Sequence, residues 1–231
     1  MKSGNIVLIG PTNSGKSSLV NKIMGQRVSL VSRKKQSTTF NQKVYKKFSE
    51  NEFIIQDTPG FFSSRKKINN NIISSPLAEI ETSDLIYVVV DISLRINNEY
   101  KKIINSLENK IEKQHVFLIL NKIDKVKKDR VLSAIKFYSK EKIFNEIFPI
   151  SSLTGEGVAN LIKFSKKFTI KTSIKSKPSS NIQIKKKLFY SEVTREKILD
   201  KIHREIPYQC DVVTEKINNC LLYTSDAADD P

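Results

Sequence analysis

Gly10-Pro11-Thr12-Asn13-Ser14-Gly15-Lys16-Ser17-Ser18 places a lysine and two hydroxyls directly behind a turn bounded by glycines. The spacing Gly-x4-Gly-Lys-Ser suits phosphate. Gly10 and Gly15 permit the tight turn that aims backbone N–H groups inward. A helix opening at this point adds a favourable field for an anion. Lys16 can then reach the β- and γ-phosphates, and the Ser17 hydroxyl can ligate magnesium. Gly10, Asn13, Ser14, Gly15, Lys16, Ser17 and Ser18 are therefore the phosphate-binding candidates.

Asp57-Thr58-Pro59-Gly60 follows an apolar run, where a carboxylate that holds magnesium through water belongs. The Gly60 N–H is placed to sense a γ-phosphate. Ras-type enzymes carry a glutamine directly after that glycine to orient the attacking water. Here the position holds Phe61, which makes no hydrogen bond with its side chain. Asn121-Lys122-Ile123-Asp124 closes another apolar run. The Asp124 carboxylate can accept from both N1–H and the exocyclic amine of guanine. Adenine offers no such pair on that edge, so it would leave a buried carboxylate unpaired. Asn121 braces the loop, Lys122 covers the base with its stem, and Ser151, Ser152 and Leu153 offer backbone N–H groups to guanine O6. Four such elements in this order read as a GTP/GDP site with Mg2+.

Something must hold these segments together. The short apolar runs NIVLIG, FIIQD, DLIYVVVD, HVFLILN and EIFPIS read as strands buried on both faces of a parallel sheet. QKVYKKF alternates and reads as an antiparallel edge strand. Between them, GKSSLVNKIMG, RINNEYKKIINSLENKI, DRVLSAIKFYSKEKI and GVANLIKFSKKF space their apolar residues at helical intervals. Strand–helix alternation of this kind predicts a three-layer α/β domain with a mostly parallel sheet over residues 1–170, and the phosphate and guanine motifs it carries make it a P-loop NTPase domain, Ras-like. A basic linker over 171–187 follows, centred on Pro178-Ser179-Ser180. Over 188–219, LFYSEVTREKILDKIHREI predicts an amphipathic helix with a stripe of Val193, Ile198, Ile202 and Ile206, and YQCDVVTEKI predicts a strand. One helix and one strand cannot bury a core alone, so this second, α+β domain reads as incomplete. Residues 220–231, CLLYTSDAADDP within the last dozen, lose lysine abruptly and read as a non-native tail resembling translated adapter sequence; a divergent natural terminus is the alternative.

Composition sets outer bounds. The chain has 231 residues, 39% hydrophobic and 28% charged, with no apolar run long enough to cross a bilayer. It reads as cytoplasmic. Cys210 and Cys220 fit no metal spacing or disulfide framework. The net charge of +16 suggests a polyanionic partner, although an AT-rich genome enriches lysine in any protein. The distribution adds to this: between Lys163 and Lys187 stand nine lysines and no acidic residue.

Taken in order, GPTNSGKS, SRKKQSTT, DTPGF, NKID and SSLTG resemble the signature of the Era GTPases. In that family a GTPase domain precedes a KH-type RNA-binding domain. Ser32-Arg33-Lys34-x-Gln36-Ser37-Thr38 resembles the family's first switch segment, which implies Thr38 as a magnesium ligand, with Thr39 the close alternative. Lys16, Thr38 and Gly60 are then the candidates nearest the chemistry. SEVTREKILDKIHREIPYQC resembles the start of the KH domain, while the linker lacks the family's landmarks. A hydrophobic residue at position 61 suits this branch and implies slow hydrolysis. In related GTPases an asparagine at the position of Asn13 ligates potassium. A polar loop residue bonding its own backbone is the other reading of Asn13.

The resemblance implies a slow molecular switch that assists assembly of the small ribosomal subunit through ribosomal RNA, a monomer with peripheral contact to the inner face of the cell membrane. The KH domain clamps RNA with a Gly-x-x-Gly loop, and none follows Lys216 here. One alternative is therefore a guanine-nucleotide module without specific RNA binding. Another is a sibling GTPase of tRNA modification or large-subunit assembly.

Overall fold

A computed structural model describes residues 2–26, 28, 42–58, 76–94, 98–108, 110–111 and 113–170, then 190–191, 193–194, 197–198 and 212–216. Thr38, Thr39, Gly60 and Phe61 lie outside the described residues, as do both switch segments (33–40 and 60–75), the linker, most of 188–219 and all of 220–231. The chain forms two compact units, Met1–Ser179 and Ser180–Pro231.

In the first unit the apolar runs become strands β1 (Lys2–Ile9), β2 (Gln42–Phe48), β3 (Asn51–Asp57), β4 (Leu85–Asp91), β5 (His115–Asn121) and β6 (Glu146–Pro149). They form one six-stranded sheet in the order β2-β3-β1-β4-β5-β6. Every pairing is parallel except β2 with β3, so QKVYKKF is the antiparallel edge strand. The helices are α1 (Lys16–Met24), α2 (Pro76–Glu81), α3 (Asn98–Glu108), α4 (Lys128–Tyr138) and α5 (Val158–Ser165).

Successive strand residues point to opposite faces, which explains why the central strands read as unbroken apolar runs. Ile6 and Leu8 of β1 join Tyr87 and Val89 of β4 and Phe117 and Ile119 of β5 under α1 and α5. Their neighbours Val7 and Ile9, Val88, and Leu118 and Leu120 face the other way, with Ile80 of α2, Tyr100 and Ile103 of α3, and Ala134 and Tyr138 of α4. Each fully buried aliphatic or aromatic side chain contributes about 1.5–3 kcal/mol relative to exposure. The three layers hold because both faces of the sheet are covered.

Some element limits depart from the expected ones. Helix α4 ends at Tyr138, where the Ser139 N–H closes on the Ile135 carbonyl at 2.9 Å, and Ile143 and Phe144 reach the same core from the following turn. Helix α5 tightens into a 3₁₀ turn over Lys166–Phe168. Helix α2 was not expected at all: it is six residues long, too short to display a period.

Within the second unit, Tyr190, Ser191, Val193, Thr194, Lys197 and Ile198 are helical. The predicted strand does not form over residues 212–216, which are irregular. The Thr214 N–H donates to the Ser191 hydroxyl at 2.7 Å, so a side chain takes the backbone donor that a neighbouring strand would use.

Candidate nucleotide-binding site

The loop between β1 and α1 sits at the carboxyl ends of the strands. Gly10 lies so close to β4 that a Cβ there would stand 2.3 Å from the Val89 carbonyl oxygen. Gly15, at φ +100°, is the left-handed residue that starts α1, and a Cβ on it would meet Asn121 Nδ2 at 2.1 Å. Both contacts require glycine, as the phosphate-loop spacing predicted. The helix that follows carries Leu19, Val20 and Ile23 into the core, which fixes the loop to the sheet.

Lys16 is buried, and its ammonium donates to the carbonyls of Gly10 (3.1 Å) and Pro11 (2.9 Å). Burial lowers its pKa to about 8, against the attraction of Asp57, which acts to raise it. Asp57 is fully buried at the end of β3, opposite Leu8 of β1. The next residue anchors the chain, since Thr58 Oγ1 donates to the Leu8 carbonyl at 2.6 Å. Ser17 and Ser18 are half-buried and Ser14 is buried, while Asn13 is exposed at φ +61°.

The base-side loops are tied to the phosphate loop by Asn121. Its Nδ2 donates to the Ser14 carbonyl (2.8 Å), and its Oδ1 accepts from the Ser152 N–H (3.0 Å) and hydroxyl (2.9 Å). One buried amide thus joins three separate loops. Asp124 Oδ1 accepts from the Ser151 hydroxyl at 2.6 Å, which aims the carboxylate beside the loop carrying Ser151 and Ser152. Lys122, at φ +69°, donates to the Asn13 carbonyl (2.7 Å) and to Asp91. Leu153 is exposed, and its carbonyl accepts from Lys22 at 3.4 Å. A cavity of about 650 Å³ opens here, lined among others by Gly15, Ser18, Lys122, Asp124, Ser152 and Leu153. Small-molecule sites commonly span about 300–1,000 Å³.

Of the sequence candidates among the described residues, Ser17 stands in the first turn of α1 and Asp57 acts on Lys16. Gly15, Ser18, Asn121, Lys122, Asp124, Ser152 and Leu153 line the cavity, and Gly10, Asn13, Ser14, Lys16 and Ser151 are bonded into its loops. Asp91, Lys22 and Asn21 (whose Oδ1 accepts from the Val28 N–H at 2.8 Å) also belong to its frame and were not foreseen. The one available signal was Asp91 itself, a carboxylate ending an apolar strand as Asn121 does. For magnesium, the Ser17 hydroxyl and the Asp57 carboxylate are hard oxygen donors. No group of three or more His, Cys, Asp or Glu arranged to hold a metal ion is present among the described residues. Such a cage is unnecessary for Mg2+, which keeps several waters and binds through few protein oxygens plus phosphate. The donors fit the ion.

Residues 5–122 match the protein-family model described as a 50S ribosome-binding GTPase. GTPase Era of Clostridium beijerinckii is 34% identical over 225 residues, 96% of this chain and 74% of that protein. Among solved structures, an Era in complex with MgGDPNP and nucleotides 1506–1542 of 16S ribosomal RNA has a TM-score of 0.79 at 26% identity, over 90% of this chain and 70% of that one. A point variant of Aquifex aeolicus Era bound to GDP·AlF4− has a TM-score of 0.75 at 27% identity, with the same coverage. Sequence likeness of this extent and a matching fold lead to one conclusion: the chain belongs to the Era family of GTPases.

Proposed function

We propose that this GTPase is a slow guanine-nucleotide switch that assists small-subunit assembly through ribosomal RNA. The observation that carries the nucleotide part is the Asn121 amide, which fixes the phosphate loop, the Asp124 loop and the Ser151–Ser152 loop in one frame. Asp124 accepts from the guanine edge, and Ser151, Ser152 and Leu153 present backbone donors to its oxygen. Gly10, Asn13, Ser14, Gly15 and Ser18 surround the phosphates, with Lys16 leaving the loop carbonyls to meet them. Ser17 and Asp57, with Thr38 or Thr39, hold the magnesium, which when bound offsets charge on the phosphates. Gly60 senses the terminal phosphate. Phe61 leaves water to be oriented by other means, so turnover is slow.

GTP orders the two switch segments and hydrolysis releases them. Residues 1–170 form the switch, 171–187 a basic linker and 188–219 part of a KH-type domain. The protein is cytoplasmic and monomeric, with peripheral contact to anionic membrane through its lysines. Among the described residues no helix is long and apolar enough to cross a membrane. The RNA partner is supported by the solved relative that holds 16S ribosomal RNA. The matched family description names the 50S particle. The solved Era that holds 16S ribosomal RNA matches over 90% of the chain, which favours the small subunit.

The test is binding of an RNA spanning the 3′ end of 16S ribosomal RNA, with a non-hydrolysable GTP analogue and then with GDP. Tighter binding in the GTP form is expected. Equal, sequence-independent binding in both forms favours a nucleotide module without specific RNA recognition. For Asn13 we propose potassium ligation: its αL backbone and exposed side chain suit a role at the phosphate edge. Faster GTP turnover in potassium than in sodium is expected, and equal rates contradict it.

A further inference from the structure

The Asn-Lys-x-Asp motif accounts for Lys122, and nothing in it accounts for what holds Lys122 in place. We propose that Asp91 is a positioning residue for guanine-nucleotide binding, acting by fixing the Lys122 ammonium between the base loop and the phosphate loop. The proposal rests on the guanine-site reading above and adds a residue to it.

Strands β4 and β5 pair in parallel with Asp91 opposite Asn121, so the carboxylate stands one residue short of Lys122 on the neighbouring strand. Lys122 Nζ donates to Asp91 Oδ2 at 2.5 Å and to the Asn13 carbonyl at 2.7 Å. The other carboxylate oxygen accepts from the Ser93 N–H at 2.9 Å and from the Ser93 hydroxyl. With both oxygens engaged, the carboxylate cannot swing away. The turn that carries Ser93 is itself braced, since Arg130 donates to the carbonyls of Ile92 (3.4 Å) and Leu94 (3.2 Å).

The pair is withdrawn from water. The Asp91 side chain is 8% exposed and that of Lys122 is 25% exposed, so solvent screening is weaker than for an ordinary surface pair. Lys122 also lines the cavity and adopts a left-handed backbone that side chains rarely take. Its stem is therefore held by its two ends: the loop backbone at one and the Asp91–Asn13 clamp at the other. Without the Asp91 charge, the ammonium keeps one neutral acceptor and gains freedom to leave for solvent. The face of the base then loses its cover, and the Asn13 carbonyl loses a fixed donor.

The test is the dissociation rate of a fluorescent GDP from the full chain, read in a double-mutant cycle. Asp91→Asn is expected to speed dissociation about tenfold. Lys122→Met keeps the stem and removes the ammonium; in that background Asp91→Asn is expected to change the rate by less than about twofold. A merely structural role would give the same change in both backgrounds, which overturns the proposal, as does an unchanged rate in the single variant. Should Asp91→Asn fail to fold, Ser93→Ala retains both charges and the backbone N–H donor but removes the hydroxyl donor from that carboxylate oxygen. It is expected to speed dissociation about two- to threefold, and no change there overturns the proposal. If the unsubstituted chain does not prefer GDP to ADP, the guanine-site reading itself falls. If it does prefer GDP and the cycle shows no coupling, only the role of Asp91 falls.

Discussion

Lys16 couples nucleotide affinity to pH. Burial puts its pKa at about 8, below the value of 10.5 for an unperturbed lysine. A bound phosphate favours the charged form and raises that pKa. The affinity contributed by Lys16 is then fully present below about pH 8 and is lost as pH rises through and above that value. The GDP dissociation constant of the unsubstituted chain should rise between about pH 7.5 and about pH 9, and Lys16→Gln should bind weakly with a flatter profile. A pH-independent constant in the unsubstituted chain contradicts this. At Gly15 the constraint is steric rather than electrostatic. Gly15→Ala must place a Cβ 2.1 Å from Asn121 Nδ2 at φ +100°. Breaking the Asn121–Ser14 bond and straining the backbone should cost about 2–4 kcal/mol of stability, read by chemical denaturation, and at least tenfold in GDP affinity.

Among the elements, β5 is the centre of one core layer. The Phe117 ring meets those of Tyr87, Phe148, Phe164 and Phe168 at centroid distances of 5.3–6.0 Å. Phe117→Ala should therefore cost about 3–5 kcal/mol on denaturation. Tyr87 offers a contrast. Ser165 spends its proton on the Leu161 carbonyl, so the Tyr87 hydroxyl donates to Ser165. Tyr87→Phe keeps the ring and leaves Ser165 bonded to Leu161, so its cost should stay near 1 kcal/mol. A loss as large as that of Phe117→Ala would contradict the assignment.

The same elements show what a sequence discloses. Strands buried on both faces announce themselves as apolar runs, and α1 and α3 announce themselves by period, because each pattern is local. Helix α2 places Ile80 in the core within a single short stretch, which gives periodicity nothing to work on. Residues 212–216 have the composition of a strand, yet the Ser191 hydroxyl, 23 positions away, takes the Thr214 N–H. The nucleotide site was legible for the same local reason, since each of its motifs is contiguous. Its fastening was not. Asp91 and Lys122 stand 31 positions apart, and a strand-ending aspartate looks like the start of any turn. Thr38 and Gly60 carry roles proposed from motif and family likeness alone.

For the whole molecule, charge is the dominant trait. A net charge of +16, with nine lysines and no acid between Lys163 and Lys187, predicts an RNA complex dominated by phosphate contacts. With about five such contacts to single-stranded RNA, affinity should fall about 100-fold as salt rises from about 50 to about 200 mM. A fall of less than about threefold would exclude this mode.

Guanine selectivity in this site depends on Asp124. The direct measurement is the affinity of the chain for GDP, ADP and xanthosine diphosphate, before and after Asp124→Asn. Guanine presents two donors to a carboxylate, whereas xanthine presents one donor and one acceptor, which an amide matches. The unsubstituted chain should prefer GDP over ADP by at least about 100-fold, and Asp124→Asn should transfer the preference to the xanthine nucleotide. A chain that binds ADP as well as GDP, or that keeps its preference for GDP after Asp124→Asn, would contradict the assignment of this site.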